Sequence, residues 1–226
     1  MMPHRCVRWA GSEQGTSLVL ALVFVVLLSG VAAAVVIVTR TETLVAANFR
    51  ASREALYAAE GGLAQTVRDL GATADWTGVL SGAAVSSFTD GAAIGSRTLP
   101  GGDLVTLCCG PSSLTGQVQV RADGGRAWGG NTPRWILYSW GPASAWRPPG
   151  VIRSAFYVAA WVSDDPADGD DDPAADNNGV LRIHAQALGP FGGRRIIEAV
   201  VQRPVIGSPP APAPGVRVVS WREVRW

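Results

Sequence analysis

A long uncharged segment near the N-terminus limits what this chain can fold into. Residues 18–38, LVLALVFVVLLSGVAAAVVIV, contain 21 residues without a charge, and Arg40 is the next charged residue. As a helix rising about 1.5 Å per residue, the segment is roughly 30 Å long, which matches the hydrocarbon core of a bilayer. Arg5 and Arg8 precede it, and the positive-inside rule then places the N-terminus in the cytoplasm. The sequence predicts a single-pass inner-membrane protein whose remaining residues are exported.

The alternative for this segment is a secretory signal peptide that is removed after the three alanines at 32–34. The apolar region of such a peptide is normally about 7–15 residues long and ends at its cleavage site. Here the apolar run continues past the alanines to Val38, and the helical pattern extends beyond Arg40. Both observations favour a retained anchor.

The helical pattern beyond the membrane segment is amphipathic. Apolar residues recur at steps of three, four or seven, with most charged residues off that line: Val45, Phe49, Leu56, Leu63, Val67 and Leu70. Gly71 follows as the expected C-terminal cap of this helix. We predict one helix over residues 16–70, with its transmembrane segment at 18–38. Gly61 and Gly62 are a weak point at which this helix is expected to bend.

The remaining residues, 71–226, predict a β-rich exported domain. Residues 71–115 are rich in small residues and are expected to be irregular, with one or two short strands. Six later segments are predicted as strands: 117–121, 135–140, 155–162, 181–187, 195–202 and 216–221. Short consecutive strands without intervening helices indicate an antiparallel sheet. The predicted fold class is α+β, with one sheet face covering the amphipathic half of the helix and the other facing solvent.

An acidic segment, residues 164–179, holds seven of the 18 acidic residues. Calcium takes six to eight oxygen ligands, and spaced Asp and Asn side chains with a Gly turn can supply them. The candidate ligands are Asp170, Asp172, Asp176 and Asn178. The segment does not fit an EF-hand, because Ala174 stands at the first position and no Glu stands at the twelfth. The alternative is a solvated hairpin loop that uses these residues for turn chemistry. Ca²⁺ is therefore a possible cofactor, and no other is indicated.

Three cysteines do not form a metal-binding pattern. Cys6 lies in the predicted leader, while Cys108 and Cys109 are adjacent in the exported domain. These two can form a vicinal disulfide, pair with another subunit, or pack as small buried residues. The sequence leaves the three possibilities open.

No pattern in the sequence indicates catalysis. His184 lies on the polar side of an alternating strand pattern, which predicts an ordinary surface residue, and no nucleophile–base pair accompanies it. A Gly-rich phosphate loop, a zinc motif and a paired-carboxylate signature are also lacking from the sequence. We therefore predict that the protein is not an enzyme.

Four tryptophans cluster in and around the second predicted strand, 135–140. Trp128, Trp135, Trp140 and Trp146 fall within nineteen residues, which predicts core and loop packing, with an exposed adhesive or subunit-contacting patch as the alternative.

The net charge is only +1, from 19 basic and 18 acidic residues. Because no overall basic field is present, nucleic acid is not predicted as a partner. Arginines near the tryptophans leave DNA capture as an open alternative.

The residues around the apolar segment resemble those of type IV pilins. In EQGTSLVLAL, residues 13–22, a short polar leader ends in Gly15 directly before the apolar helix. The runs AANFR at 46–50 and ALYAAEGGL at 55–63 then resemble the PilX-type minor pilin N-terminal family. The resemblance covers about residues 13–70. It implies a leader over residues 1–15 that a prepilin peptidase removes between Gly15 and Thr16, and a helix packed on an antiparallel sheet.

The resemblance implies a minor pilin-like subunit that takes part in type IV pilus assembly, with other pilins and the assembly machinery as partners. Pilins generally carry Glu at the fifth mature position, whereas this chain has Leu20 there. That departure favours a low-copy subunit that primes assembly or lies near the tip. The alternatives are a type II secretion pseudopilin and a single-pass, Ca²⁺-dependent binding domain that does not polymerise.

Overall fold

The computed structural model describes residues 14–124, 132–146, 154–204 and 215–224, without the side chains of residues 14 and 191. The helices are α1 (Gln14–Ala72), α2 (Thr77–Leu80) and α3 (Leu114–Asp123). The strands are β1 (Ser96–Thr98), β2 (Leu104–Thr106), β3 (Ile136–Pro142), β4 (Tyr157–Asp164), β5 (Val180–Leu188), β6 (Arg194–Gln202) and β7 (Arg217–Val224). The chain divides into two compact units, Met1–Phe49 and Arg50–Trp226.

The second unit is built on a five-stranded antiparallel sheet. Its strand order is β3-β4-β5-β6-β7, so that each strand pairs with its sequence neighbour, while β1 and β2 form a separate two-stranded sheet. This order is that of a meander, in which antiparallel neighbours follow one another along the chain. The long N-terminal helix and the antiparallel sheet confirm the predicted α+β fold class.

One predicted strand is wrong, since residues 117–121 lie inside helix α3. Ser113 caps that helix, and its Oγ accepts a hydrogen bond from the Gly116 backbone nitrogen at 3.1 Å. Leu114 and Val118, one helical turn apart, are buried, whereas Val120 is 66% exposed. Val118 and Val120 alternate with polar residues, which is the pattern of a strand. The buried residues of this segment are instead four positions apart, as expected for one face of a helix.

Small residues form the centre of the α1 surface that lies against the sheet. Ala55, Ala58 and Ala59 are buried together with Val158 and Ile197 of the sheet. Farther along, the Thr66 hydroxyl lies 3.2 Å from the Ser139 hydroxyl in the buried interface. The larger residues of the predicted stripe, Leu56, Leu63 and Val67, are only partly buried, while Leu70 is fully buried. The short side chains let the helix backbone approach the strands closely.

The opposite face of the sheet is also covered, in contrast to the solvent-facing surface that the sequence predicts. Leu107, Leu114 and Val118 pack with Trp161 in a second core cluster, and the Trp161 indole donates to the Thr115 hydroxyl at 2.8 Å. As a result every residue of β4 is buried. Helix α3 and the later part of the expected irregular segment, which includes Leu99 and Leu107, therefore form a third layer over this face.

The outer edge of β3 is covered by the segment 86–88. The Ser86 nitrogen donates to the Tyr138 carbonyl at 2.9 Å, and the Trp140 nitrogen donates to the Phe88 carbonyl at 3.1 Å. Asp69 of α1 accepts hydrogen bonds from the Ser86 hydroxyl and from the Ser87 nitrogen. Covering an edge strand in this way protects it from pairing with other chains.

Candidate functional site

Residues 18–38 of the first unit present an apolar helix surface on all sides. All residues from 15 to 49 are exposed, including Leu18 (73%), Phe24 (61%) and Ile37 (66%). This helix is long and apolar enough to cross a membrane. A helix that is apolar all round requires lipid or the apolar surfaces of other helices around it. The geometry thus fits an anchor that is shielded by surroundings outside this chain.

Threonines at the end of the apolar segment satisfy their hydroxyls within the helix. The hydroxyls of Thr39, Thr41 and Thr43 donate to the carbonyl oxygens four residues earlier at 2.9, 3.0 and 2.8 Å. Because a hydroxyl without a partner is costly in an apolar environment, these bonds make the residues compatible with lipid or a helix bundle.

The predicted processing site lies at the start of α1. Gly15 is inside the helix, and a Cβ atom added there would have no described atom within 4 Å apart from its chain neighbours and the adjoining backbone of the helix. Leu20, at the position where pilins carry Glu, is 55% exposed on the same helix. Residues 1–13 of the predicted leader, with Cys6, lie outside the described residues. Cleavage between Gly15 and Thr16 stays a prediction.

The acidic segment connects β4 to β5 and brings together a different group of carboxylates from the predicted one. One carboxylate oxygen from each of Asp164, Asp168 and Asp170 lies within 4.8 Å of the other two. Asp164 is fully buried and Asp168 is 8% exposed. Of the four predicted calcium ligands, only Asp170 belongs to this cluster.

The other predicted ligands stabilise turns of the same loop. Asp172, Asp176 and Asn178 accept hydrogen bonds through a side-chain oxygen from the backbone nitrogens of residues 174, 179 and 180, at 2.9, 2.9 and 2.8 Å. Burial raises the pKa of Asp176, and the bond from Gly179 opposes this. These contacts are the turn chemistry of the alternative interpretation. Calcium binding stays a prediction.

Cys108 and Cys109 are joined by a disulfide, with their Cα atoms 3.7 Å apart. Cys109 has a positive φ of 77°, so that the bridge sits at a sharp turn of the backbone just before helix α3. Adjacent Leu107 is fully buried in the core. The turn therefore joins a core residue to the capped start of α3.

Three of the four clustered tryptophans have described positions, and these three pack into the domain. Trp135 and Trp140 are each 3% exposed, and Trp146 is partly buried against the core. Trp128 lies outside the described residues. The packing interpretation therefore holds for these three side chains.

His184 is buried, contrary to the predicted surface position. Only 1% of the residue is exposed, and its ring lies 5.7 Å from the ring centres of both Trp135 and Trp161. Its Nδ1 lies 3.2 Å from Glu198 Oε1 on the neighbouring strand. Helix α3 covers this face of the sheet. The alternation pattern of β5 shows which residues share a face, but it does not show whether another layer covers that face.

The His184–Glu198 pair predicts an acid-sensitive fold. Burial lowers the pKa of His184 below 6.5, while the His184 hydrogen bond and Arg222 hold the pKa of Glu198 at about 2, against 4.5 ordinarily. Below pH 6.5 His184 takes up a proton in the unfolded chain before it does so in the folded chain. Below pH 4.5 the same holds for Glu198. We expect the melting temperature to be highest above pH 6.5 and to fall as the pH decreases toward 2.

Circular-dichroism melts across this pH range measure the effect. Glu198→Gln should flatten the fall between pH 4.5 and 2, while Glu223→Gln, which removes a more exposed carboxylate paired with Arg195, should keep it. An unchanged melting temperature from pH 7 to 3 in the wild-type chain would contradict the predicted coupling.

Comparison with known proteins bears on the N-terminal segment. Residues 14–64 match the family described as PilX N-terminal. No curated protein and no solved structure shows significant similarity to the chain. The matched residues comprise the exposed apolar helix and most of the α1 segment that packs on the sheet. Residues 14–64 of this chain are therefore similar to the PilX N-terminal family.

Proposed function

We propose that this protein is a minor pilin-like subunit that enters a type IV pilus at low copy number. The observation that carries the proposal is the PilX N-terminal match over residues 14–64, on a helix whose residues 15–49 are all exposed. The role is structural rather than catalytic. Residues 18–38 hold the chain in the inner membrane with the N-terminus in the cytoplasm, and the sheet domain contacts other subunits outside.

The exposed apolar helix supports movement from lipid into a filament. In the membrane its side chains are surrounded by acyl chains, and in a filament the equivalent helices of other pilins would surround them. Prepilin peptidase would act first, because its predicted cut between Gly15 and Thr16 leaves this helix attached to the domain. The other pilins, the peptidase and the assembly machinery are the partners that the proposal requires.

A filament test separates this proposal from its alternatives. In a strain that carries a tagged chain, sheared and purified type IV pili should contain it at a small fraction of the major subunit, and its deletion should reduce piliation. Loss of secretion with normal piliation would instead indicate a type II secretion pseudopilin. A chain found only in the membrane, with piliation and secretion both unaffected, would indicate an anchored binding domain.

Leu20 supports the low-copy role. A carboxylate at this position would be available to pair with the N-terminal amine of a neighbouring subunit, and an unpaired charge in an apolar core is costly. We expect Leu20→Glu to enter filaments as well as, or better than, the wild-type chain. Quantitative mass spectrometry of purified pili measures the ratio of this chain to the major subunit.

Leu22→Glu is the matched control, since Leu22 lies on the same helix and is 66% exposed. A carboxylate there has no amine to meet, so that incorporation should fall. Equal incorporation of the two variants, or purified filaments in which the wild-type chain is the dominant subunit, would contradict the assigned role of position 20.

A further inference from the structure

The disulfide between Cys108 and Cys109 closes the turn that leads into helix α3. Cys108 is partly buried and packs against the core cluster that contains Leu107 and Trp161, whereas Cys109 is exposed. One end of the bridge therefore lies against the core, while the other end is open to solvent. An exported domain meets an oxidising environment, in which such a bridge forms and persists.

The backbone on both sides of the bridge is hydrogen-bonded to the start of α3. The Leu107 carbonyl accepts hydrogen bonds from the Thr115 nitrogen at 3.0 Å and from the Thr115 hydroxyl at 2.7 Å. The Gly110 carbonyl accepts hydrogen bonds from the Ser113 nitrogen at 3.1 Å and from the Ser113 hydroxyl at 2.6 Å. A change in the direction of the chain between residues 107 and 110 would therefore disturb the first turn of α3.

The first turn of α3 also attaches this helix to the sheet. The Thr115 hydroxyl accepts a hydrogen bond from the Trp161 indole at 2.8 Å, and Leu114 and Val118 pack in the same core cluster as Trp161. Helix α3 has ten residues, and helices shorter than about 12–15 residues are only marginally stable in water by themselves. Its persistence therefore depends on this packing and on the turn that precedes it.

Cys109 has a backbone conformation that favours glycine. Its φ is 77°, a region in which a side chain is sterically disfavoured. Such a conformation persists where the surrounding structure imposes it, and the covalent ring that joins the two adjacent cysteines is a constraint of this kind. When the bridge opens, this constraint is lost, and Cys109 is free to return to a negative φ.

We propose that the disulfide is a redox-sensitive switch, which fixes the start of α3 in the oxidised protein and releases it on reduction. In the reduced protein α3 opens away from the sheet more often, while α1 and the sheet stay folded. Opening uncovers the sheet face that carries Trp161 and His184. The proposal goes beyond the assembly role and does not depend on it, since every group involved lies in the second unit.

The reductant is an external dithiol. Its first thiolate attacks the sulfur of the exposed Cys109 and breaks the S–S bond, which leaves a mixed disulfide on Cys109 and a thiolate on Cys108. The second thiol of the reductant then attacks its own sulfur in the mixed disulfide and displaces the Cys109 thiolate. The reductant leaves as a cyclic disulfide, and the two protons that it loses are balanced by those that the two cysteines take up.

Hydrogen–deuterium exchange on the full chain in detergent micelles tests the proposal, in the presence and in the absence of dithiothreitol as the dithiol. Alkylation of Cys108 and Cys109, mapped by peptide mass, shows whether the bridge has opened. We expect the backbone amides of residues 118–123 to exchange about tenfold faster, or more, after reduction. The amides of β5 and β6 should exchange at the same rate in both states.

Two double variants separate the backbone effect from the loss of the covalent bond. Cys108→Ser/Cys109→Ala lacks the bridge and disfavours a positive φ, so that α3 should exchange at the rate of the reduced wild-type chain. Cys108→Ser/Cys109→Gly also lacks the bridge, but glycine adopts a positive φ without steric cost, and α3 should exchange more slowly in this variant. Dithiothreitol should change the exchange of neither variant.

Four results would overturn the proposal. They are a bridge that dithiothreitol leaves intact in the folded chain, equal exchange of α3 in the oxidised and reduced wild-type chain, loss of protection in β5 and β6 together with α3, and equal exchange of α3 in the two folded variants. If either variant fails to fold, the comparison of oxidised and reduced wild-type chain decides the question.

Discussion

Gly15→Leu is expected to leave the uncleaved precursor in the membrane and to abolish its incorporation into filaments. The proposed peptidase cut follows Gly15, and a large side chain at that residue would obstruct the peptidase. The substitution should leave the helix itself intact, since a Cβ placed there meets no described atom within 4 Å beyond its chain neighbours and the adjoining helix backbone. In addition, Leu has a higher helix propensity than Gly. Intact-mass measurement of the membrane fraction shows whether the precursor is cleaved. The same measurement on purified pili shows whether the chain is incorporated.

Gly30→Leu is the matched control. Gly30 lies in the same apolar helix, and a Cβ there also has no neighbour within 4 Å. This variant should be cleaved to the same mature N-terminus as the wild-type chain. Normal cleavage of Gly15→Leu, or failure of both variants to be cleaved, would show that Gly15 does not define the processing site.

Gly62→Ala is expected to destabilise the second unit by about 1–3 kcal/mol through overpacking. Alanine would ordinarily stabilise a helix by about 1 kcal/mol relative to glycine. Here the added Cβ would clash with the Cγ1 atom of Val158, a fully buried residue of β4. Because a β-branched side chain has few alternative rotamers, Val158 cannot easily move away.

Thermal melts of the full chain in detergent measure this effect, with an expected decrease of several degrees for a unit of this size. Gly78→Ala is the matched control, because Gly78 also lies in a helix and its added Cβ would be 3.9 Å from the nearest atom, an ordinary contact with Ala84. That variant should melt at or above the wild-type temperature. A Gly62→Ala chain as stable as Gly78→Ala would contradict the close packing of α1 on β4.

Local patterns predict most of the architecture. The uncharged run at 18–38 and the repeating apolar residues after it predict a long helix, and alternating or apolar runs predict five strands of the sheet. These features succeed because each depends on residues that are close in sequence. A bend is expected at Gly61 and Gly62, but one helix, α1, spans both residues without interruption. The two glycines lie where this helix meets the sheet.

Features that depend on distant residues could not be predicted in the same way. The alternation in β5 placed His184 on a solvent face, because the sequence gives no sign that α3 covers it. Residues 117–121 of the same helix match a strand pattern, because Val118 and Val120 alternate with polar residues, although only Val118 lies on the buried side of α3. Arg121, Arg182 and Arg222 are widely separated in the sequence, and only strand register and the α3 layer bring them to one pocket between α3 and the sheet.

The mass and abundance of this chain in purified filaments test the central claim most directly. Type IV pili are sheared from cells, purified away from membrane, and analysed by intact-mass and quantitative mass spectrometry. The account predicts a chain that begins at Thr16 and is present at a small fraction of the major subunit. A chain that begins at Met1 or after Ala34, or a mature chain confined to the membrane and absent from filaments, would contradict it.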